Sequence, residues 1–138
     1  MIHTCAPKSL DMPAVLGITK NHDATVCRAY VEHFHYVNEW FKRGIKKPIP
    51  AIVLGQELVS ETELVRLEFY DFCRMNNVFH LLGASTLIND QCVAGIGIHR
   101  PRGQSRFDEQ DRRKMALLLP HLTRALQIQN RFKVLISV

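Results

Sequence analysis

The sequence lacks several features that would assign it to a well-defined class of protein. No run of residues approaches the roughly 20 apolar positions that a helix needs to span a bilayer, so no membrane segment is expected. Residues 1–20 have no charged region followed by a long apolar run, so no secretory signal is expected. The cysteines, Cys5, Cys27, Cys73 and Cys92, are too widely spaced for a CxxC pair. We therefore expect a reduced, cytoplasmic protein without structural disulfides.

Motifs of catalysis and cofactor binding are also missing. There is no GxSxG, Walker loop or HExxH motif, and Gly95-Ile96-Gly97 falls within a strand pattern that no helix follows directly. His33 and His35 are two residues apart, whereas metal ligands on one helix are three or four apart. Nothing in the sequence brings Glu32 and Asp71 together as an acid pair. We predict no catalytic residues, no metal site and no cofactor, and interpret the protein as not an enzyme.

The size and charge of the chain indicate one domain with a basic C-terminal third. At 138 residues, of which 46% are hydrophobic, residues 1–138 fit a single domain around one core. Residues 91–138 contain nine Lys or Arg and three Asp or Glu, whereas residues 1–90 contain nine and ten. This basic third is compatible with a position near nucleic acid or with an ordinary solvated helix face.

Apolar spacing predicts two helices in the first half of the chain. The first runs from Asp23, a candidate N-cap, to Gly44, and its apolar stripe repeats every three or four residues. The stripe consists of Val26, Tyr30, Phe34, Val37 and Phe41. The second helix begins at a capping box from Ser60 to Glu63 and ends near Asn77.

Three further segments are predicted from their composition and from the positions of proline and glycine. Residues 1–12 are predicted to be irregular, and Met12–Ile18 to form a short strand. Lys46–Gln56 contains two prolines and a glycine, which favours a loop with at most a short edge strand.

The clearest β pattern in the sequence lies between residues 79 and 100. Two strands, Phe79–Ile88 and Gln91–Arg100, are joined by Asn89-Asp90, two residues that tolerate the positive φ of a tight turn. On the second strand, Gly95 and Gly97 share one face. Two glycines on one face leave room above the sheet, so we expect a helix, a backbone or a ligand to approach closely there.

Two aromatic side chains are candidates for ligand contact. Tyr36 and Trp40 lie four residues apart on the flank of the first helical stripe, and each combines an apolar ring with a polar tip. Apolar walls with sparse polar groups are typical of small-molecule pockets, although an ordinary core role is the alternative. We therefore predict a ligand site formed by Tyr36, Trp40, Gly95 and Gly97.

A long C-terminal helix is predicted over residues 108–136. Asp108 is its candidate N-cap, and Pro120 predicts a kink or a break. The apolar stripe of this helix is longer than one small sheet can cover, so we predict that two copies of the helix form a dimer interface. The predicted interface residues are Leu118, Leu122, Leu126 and Phe132. The alternative is that the residues after about Gln129 fray, as chain ends do.

Three segments in the second half of the chain carry a resemblance to a known family. They are a strand ending in His99-Arg100-Pro101, a helix start Phe107-Asp108-Glu109-Gln110-Asp111, and the segment Leu118-Leu119-Pro120-His121-Leu122-Thr123-Arg124-Ala125-Leu126. This pattern resembles the sensory half of LuxR-type bacterial transcription regulators. The similarity extends back through Glu68–Phe72 and Tyr30–Trp40, so it covers most of the chain. It implies an α+β, PAS/GAF-like fold, with a small antiparallel sheet, flanking helices and a long C-terminal helix.

The resemblance also implies a function. Domains of this type are expected to bind a small molecule or a partner and to signal through a dimer of their last helix, which precedes a helix-turn-helix domain. The helix-turn-helix itself is missing and the N-terminus is short, so the chain is either part of a longer regulator or a stand-alone remnant. We expect this chain alone not to bind DNA specifically. A dimerisation module whose own aromatic side chains fill the pocket is the alternative.

Overall fold

A five-stranded antiparallel sheet forms the centre of the fold. The computed structural model describes residues 2–7, 17–18, 25, 28, 30, 32–90 and 92–136. The strands are β1 (Ile2–Pro7), β2 (Gly17–Ile18), β3 (Ala51–Leu54), β4 (His80–Asn89) and β5 (Cys92–Arg100). Their order across the sheet is β2-β1-β5-β4-β3, and every neighbouring pair is antiparallel.

Helices flank this sheet. They are a 3₁₀ helix (Phe34–Val37), α1 (Glu39–Gly44), α2 (Gly55–Leu58), α3 (Glu61–Leu64), α4 (Phe69–Met75) and α5 (Glu109–Ile136). The predicted α+β, PAS/GAF-like class, with a small antiparallel sheet, flanking helices and a long C-terminal helix, is confirmed.

The β4–β5 hairpin is confirmed, with one correction to its turn. Asn89 pairs with Cys92 and accepts a hydrogen bond from the Cys92 N–H through Oδ1 at 3.0 Å, so it belongs to the strand end. Neither Asn89 nor Asp90 has positive φ, since Asn77 (φ 57°) is the only such residue among the described non-glycines. The side chain of Asn89 thus stabilises the hairpin end without a left-handed backbone.

The N-terminal prediction is wrong. Residues predicted to be irregular form β1, which pairs with β5 on one side and β2 on the other. Gly17–Ile18, the end of the predicted strand Met12–Ile18, form β2, and Met12–Leu16 lie outside the described residues. Residues 2–7 show no clear alternation of apolar and polar residues, so no local pattern indicates the strand. Its pairing with β5 joins residues more than 80 positions apart in the chain. The short edge strand predicted within Lys46–Gln56 is confirmed as β3.

The first predicted helix is not continuous. A 3₁₀ helix at Phe34–Val37 interrupts it, and α1 starts afresh after Asn38. Asn38 Oδ1 accepts a hydrogen bond from the Phe41 N–H at 3.1 Å, so Asn38 is an N-cap inside the predicted helix. The predicted end at Gly44 is confirmed, and the predicted N-cap Asp23 lies outside the described residues.

The second predicted helix consists of two short helices, α3 and α4. Ser60 Oγ accepts a hydrogen bond from the Glu63 N–H at 3.2 Å, which confirms its capping role. The reciprocal bond of a capping box is missing because the Glu63 carboxylate accepts hydrogen bonds from the Arg43 guanidinium. The end near Asn77 is confirmed, where positive φ closes the last turn.

Helix α5 is 28 residues long, or about 42 Å. Asp108 Oδ1 accepts from the Asp111 N–H at 3.0 Å, and Asp111 Oδ2 accepts from the Asp108 N–H at 2.9 Å, which confirms Asp108 as the N-cap. The helix continues through Pro120, so the predicted break does not occur. Pro120 removes the donor for the Ala116 carbonyl, but both residues are exposed, so water can hydrate that carbonyl.

The sheet separates two apolar clusters, because successive residues of a strand face opposite sides. Leu81 of β4 belongs to the aromatic cluster under the short helices, and Leu82 to the helix cluster under α5. The buried residues of the aromatic cluster are Tyr30, Trp40, Leu58, Val59, Leu64, Phe69, Phe72, Cys73, Val78, Phe79 and Leu81. Those of the helix cluster are Leu54, Leu82, Ala84, Ile88, Ala94, Ile96, Phe107, Met115, Leu119 and Leu126.

Candidate ligand-binding cavity

A cavity of about 120 Å³ lies between the sheet and helices α1, α2 and α4. Residues of β3, β4 and β5 form one side, and residues of the three helices form the other. Most of its lining side chains are apolar or aromatic, and no Lys, Arg, Asp or Glu lines it among the described residues. The lining therefore suits a small uncharged molecule.

Glycines form much of the sheet side of this cavity. The β4–β5 register pairs Gly83 directly with Gly97, and Ser85 with Gly95. A Cβ atom at Gly97 would lie 3.2 Å from Cε1 of His99, and one at Gly83 would lie 3.2 Å from Cγ2 of Val53. The two paired glycines keep this part of the sheet free of side chains, and neighbouring groups occupy the space close to it.

Aromatic rings form the helix side of the cavity. Trp40 of α1 is 5% exposed, and its ring lies 5.6 Å from that of Phe69 on α4. The indole also stacks on the imidazole of His99 at the end of β5. The ring of Tyr30 lies 5.6 Å from that of Phe72, which extends the aromatic wall. Rings at these separations attract one another and hold the wall in place.

Two of the aromatic lining residues, Trp40 and Tyr30, each carry a polar atom. Trp40 Nε1 is the one buried side-chain nitrogen or oxygen without a hydrogen-bond partner in the described part of the chain. The Tyr30 hydroxyl accepts a hydrogen bond from Asn38 Nδ2 at 3.1 Å. Burial raises the pKa of Tyr30 to about 12, so this phenol is neutral at physiological pH. The side chains of Tyr30 and Trp40 thus add no charge to the cavity wall.

Two further groups with reactive side chains, the Cys73 thiol and the His33–Glu68 pair, lie outside the cavity lining. Burial raises the pKa of the Cys73 thiol to about 12, so it is not a thiolate nucleophile near pH 7. His33 Nε2 lies 2.6 Å from a carboxylate oxygen of Glu68 in an exposed pair. No group of three or more His, Cys, Asp or Glu side chains is placed to hold a metal ion within the described ranges.

The structure brings three of the four predicted ligand residues together. Trp40, Gly95 and Gly97 all line the cavity, whereas Tyr36 does not and is 53% exposed. Tyr36 lies in the 3₁₀ helix, and the extended backbone of Asn38 separates it from Trp40, so the two no longer share a helical face.

Sequence reasoning missed several residues that line the cavity. Gly83 and Phe69 both contribute to it, and His99 closes it beneath Trp40. The sequence could have indicated Gly83 and His99, since both lie in predicted strands. His99 also follows Gly95 and Gly97 on the same face of its strand. No local pattern indicates Phe69, because its orientation depends on the turn between α3 and α4.

The predicted dimer stripe on α5 divides between two faces of the helix. Leu126 is 5% exposed and belongs to the helix cluster, and Leu122 packs against the same cluster. Leu118 and Phe132 are 54% and 60% exposed. Leu122 and Leu126 therefore cover the sheet of their own chain, which corrects the prediction that they form a dimer contact. The exposed stripe consists of Leu118, His121, Ala125, Ile128 and Phe132.

Within the described residues, no helix combines the length and apolar character that crossing a membrane requires. Comparisons of the chain with protein-family models, with curated proteins and with solved structures find no match.

Proposed function

We propose that this chain is a cytoplasmic sensory domain of a LuxR-type transcription regulator. It binds a small molecule in the cavity and signals through a dimer of α5. The observation that carries this proposal is that the cavity and helix α5 lie on opposite faces of the same sheet. The sequence segments that resemble LuxR-type sensory halves support the regulatory context.

Strand β4 supplies a physical connection between the two faces. Leu81 lines the cavity, and Leu82 next to it packs in the helix cluster with Met115. Further along β4, the hydroxyls of Thr86 and Thr123 are 2.9 Å apart. The Thr123 hydroxyl donates to the Leu119 carbonyl at 2.7 Å, so Thr86 donates to Thr123. A ligand that favours one position of β4 therefore favours one position of α5, provided that it binds the two arrangements with different affinities.

The exposed stripe of α5 supplies the output contact. Its residues follow one another at spacings of three, four, three and four, the spacing of a coiled-coil seam. Pairing the same stripe from two chains forms a closed, two-fold interface. In a full-length regulator this pairing would place two DNA-binding domains side by side.

A dimerisation module without a ligand is the second candidate, and the size of the cavity favours it. The volume of about 120 Å³ is below the roughly 300–1,000 Å³ of drug-sized ligand pockets. In this alternative the aromatic wall is simply the core beneath the short helices, and α5 still pairs two chains.

Native mass spectrometry of freshly purified protein separates the two candidates. The sensory domain is expected as a dimer that carries a small additional mass, which is lost on denaturation. Gly97→Val, which places methyl groups in the cavity, is expected to lose that mass and remain a dimer. A dimer without additional mass supports the second candidate. A monomer without additional mass contradicts both.

A further inference from the structure

We propose that a groove between α5 and strand β3 binds a carboxylate with a linear alkyl chain, whose charged group contacts the Arg124 guanidinium. The groove lies on the α5 side of the sheet, whereas the cavity lies on the other side. The inference therefore goes beyond the proposed function and does not depend on whether the cavity is occupied. It adds a second ligand site, in direct contact with α5.

The size and shape of the groove suit a linear molecule. Its volume is about 670 Å³, within the roughly 300–1,000 Å³ of small-molecule sites. One wall is the stretch of α5 from Arg112 to Gln127, two residues that are about 22 Å apart along the helix axis. The other wall consists of residues 50–52 and Thr86. The groove is therefore elongated along the helix.

Apolar side chains form the floor of the groove. Leu119 is 7% exposed and belongs to the helix cluster, and Ile52 packs against the same cluster. Ala116 and Pro120 also line the groove and are exposed. An alkyl chain that lies on these four residues removes apolar surface from water, which favours binding.

Arg112 lies at one end of the groove and offers no free charge there. Its guanidinium lies 2.6 Å from a carboxylate oxygen of Glu57 and 3.0 Å from one of Glu109. It also donates a hydrogen bond to the Ile52 carbonyl at 2.6 Å. Because two carboxylates already compensate this single positive charge, the end at Arg112 does not attract an anion.

The hydroxyl groups that line the groove are used within the protein. The hydroxyls of Thr86 and Thr123 are 2.9 Å apart, and Thr123 donates to the Leu119 carbonyl at 2.7 Å. Each hydroxyl has a single proton, so neither retains a donor for a bound anion. The anionic group of a ligand must therefore find its donors elsewhere in the groove.

Arg124 supplies these donors. It lines the groove, is exposed, and has no ion pair or hydrogen bond with the part of the chain that the structure describes. Gln127 lies three residues further along α5, lines the same groove and adds an amide donor. No Asp or Glu is found among the described lining residues. Arg124 is therefore the available cation of this groove.

The charge of the site favours a carboxylate. A carboxylate accepts two parallel hydrogen bonds from one guanidinium, and its single negative charge matches the single free cation. A phosphate monoester carries nearly two negative charges at pH 7, of which Arg124 would compensate only one.

The distance between the two arginines limits the length of the chain. Arg124 and Arg112 are about 18 Å apart along the helix axis. With C–C bonds of about 1.5 Å, an extended chain of eight carbons is about 10 Å long. Such a chain fits on the apolar floor between them, with its carboxylate at Arg124 and its methyl end towards Arg112.

The test is a titration with octanoate that follows the ¹H–¹⁵N correlation spectrum of the full chain. Octanoate is expected to shift the amide resonances of Thr86, Thr123 and Gln127, which line the groove. Those of Gly83 and Gly97, which line the cavity, are expected to stay in place. The matched controls are 1-octanol, which lacks the charge, and butyrate, which lacks half of the chain. Each is expected to bind at least about tenfold more weakly than octanoate.

Three substitutions at exposed positions of α5 identify the site. Arg124→Gln is expected to reduce the affinity for octanoate about tenfold, to that for 1-octanol. Arg113→Gln removes an exposed arginine that does not line the groove, so it is expected to bind octanoate as the parent does. Ala116→Leu fills the groove with a larger side chain and is expected to lose both ligands. Circular dichroism checks that each variant is folded.

The outcomes separate this inference from the proposed function. Equal affinities for octanoate and 1-octanol would overturn it, as would an unchanged octanoate affinity in Arg124→Gln. Shifts confined to Gly83 and Gly97 would also overturn it, and would place the ligand in the cavity. Absence of octanoate binding up to about 10 mM would overturn the inference, whereas native mass spectrometry would still test the proposed function.

Discussion

The indole ring of Trp40 lies over the imidazole ring of His99, with centroids 6.0 Å apart and planes inclined at 26°. This stack connects α1 to the end of β5 across the edge of the cavity. Trp40 and His99 both line the cavity, so a molecule bound there would lie next to a contact that joins the helices to the sheet. We expect the stack to transmit displacements of α1 to β5.

Gly97→Val tests the close packing on the sheet side of the cavity. A Cβ atom there would lie 3.2 Å from Cε1 of His99 and 3.5 Å from Cδ1 of Leu81, and valine adds two methyl groups beyond it. Because His99 is stacked on Trp40, it has little freedom to move aside. We expect a loss of about 1–3 kcal/mol of unfolding free energy in urea titrations, despite the higher β propensity of valine.

The matched control for this substitution lies on the opposite face of the same strand. Ile98 is exposed, so Ile98→Val is expected to change the unfolding free energy by no more than about 0.5 kcal/mol. A higher urea midpoint for Gly97→Val would show that its side chain enters free space, contrary to the packing described above.

The hairpin was predictable because its signal is local and regular. Two short, largely apolar runs separated by Asn89 and Asp90 define β4 and β5. Because successive residues of a strand face opposite sides, the two faces of β5 follow from its sequence. The long α5 was predictable for a similar reason, since its cap at Asp108 and its apolar repeat agree. In both cases the local pattern and the tertiary contacts favour the same structure.

The missed features depend on contacts between distant residues. The capping hydrogen bond of Asn38 places Trp40 in the core and leaves Tyr36 exposed, although their spacing alone suggests one face. Likewise, the pairing of Gly83 with Gly97 follows from strand register. Along α5, the apolar spacing could not distinguish Leu126, which covers the sheet, from Phe132, which does not.

Acid is expected to weaken the link between α1 and α3. The hydrogen bonds from Arg43 hold the pKa of Glu63 below its ordinary value of 4.5. The pKa of Glu63 is therefore lower in the folded state than in the unfolded state. The Arg43–Glu63 pair contributes fully to the unfolding free energy above the unfolded pKa of about 4.5. This contribution is lost as the pH falls from there through the folded pKa. Urea titrations between pH 7 and pH 3 should show a decrease in unfolding free energy that is smaller in Glu63→Gln.

Glu68→Gln is the control for this pH dependence, because Glu68 is also exposed but does not contact Arg43 in the structure described. It is expected to retain the acid-dependent loss that Glu63→Gln reduces. Identical pH dependence in the parent protein and Glu63→Gln would contradict the role of the Arg43–Glu63 pair.

The chain alone is expected to bind DNA weakly and without sequence preference. Exposed basic side chains on α5, among them Arg113, Lys114, Arg124 and Arg131, can contact phosphates, which carry no sequence information. Gel-shift assays with two unrelated duplexes at about 0.15 M salt should give equal, weak binding that decreases steeply as salt is added. Preference for one duplex under these conditions would contradict this expectation.

The exposed stripe of α5 is expected to hold two chains together, and substitutions on the two faces of the helix test this. Ile128 is exposed in the stripe, so Ile128→Glu should give a folded monomer because it places a charge in the contact. Leu126 is buried against its own sheet, so Leu126→Glu should reduce the unfolding free energy by more than about 3 kcal/mol. Ala116→Glu adds the same charge at an exposed position off the stripe and should remain a folded dimer.

Sedimentation velocity at about 20–50 µM, combined with circular dichroism, measures assembly and folding separately; a stable interface is populated at these concentrations. The parent chain and Ala116→Glu should sediment as dimers, and Ile128→Glu as a monomer with the parent's helical signal. A monomeric parent chain would show that the stripe does not pair two copies. A dimeric Ile128→Glu would show that the contact lies elsewhere on the molecule, because a charge at this position cannot be buried in a symmetric apolar seam without disrupting it.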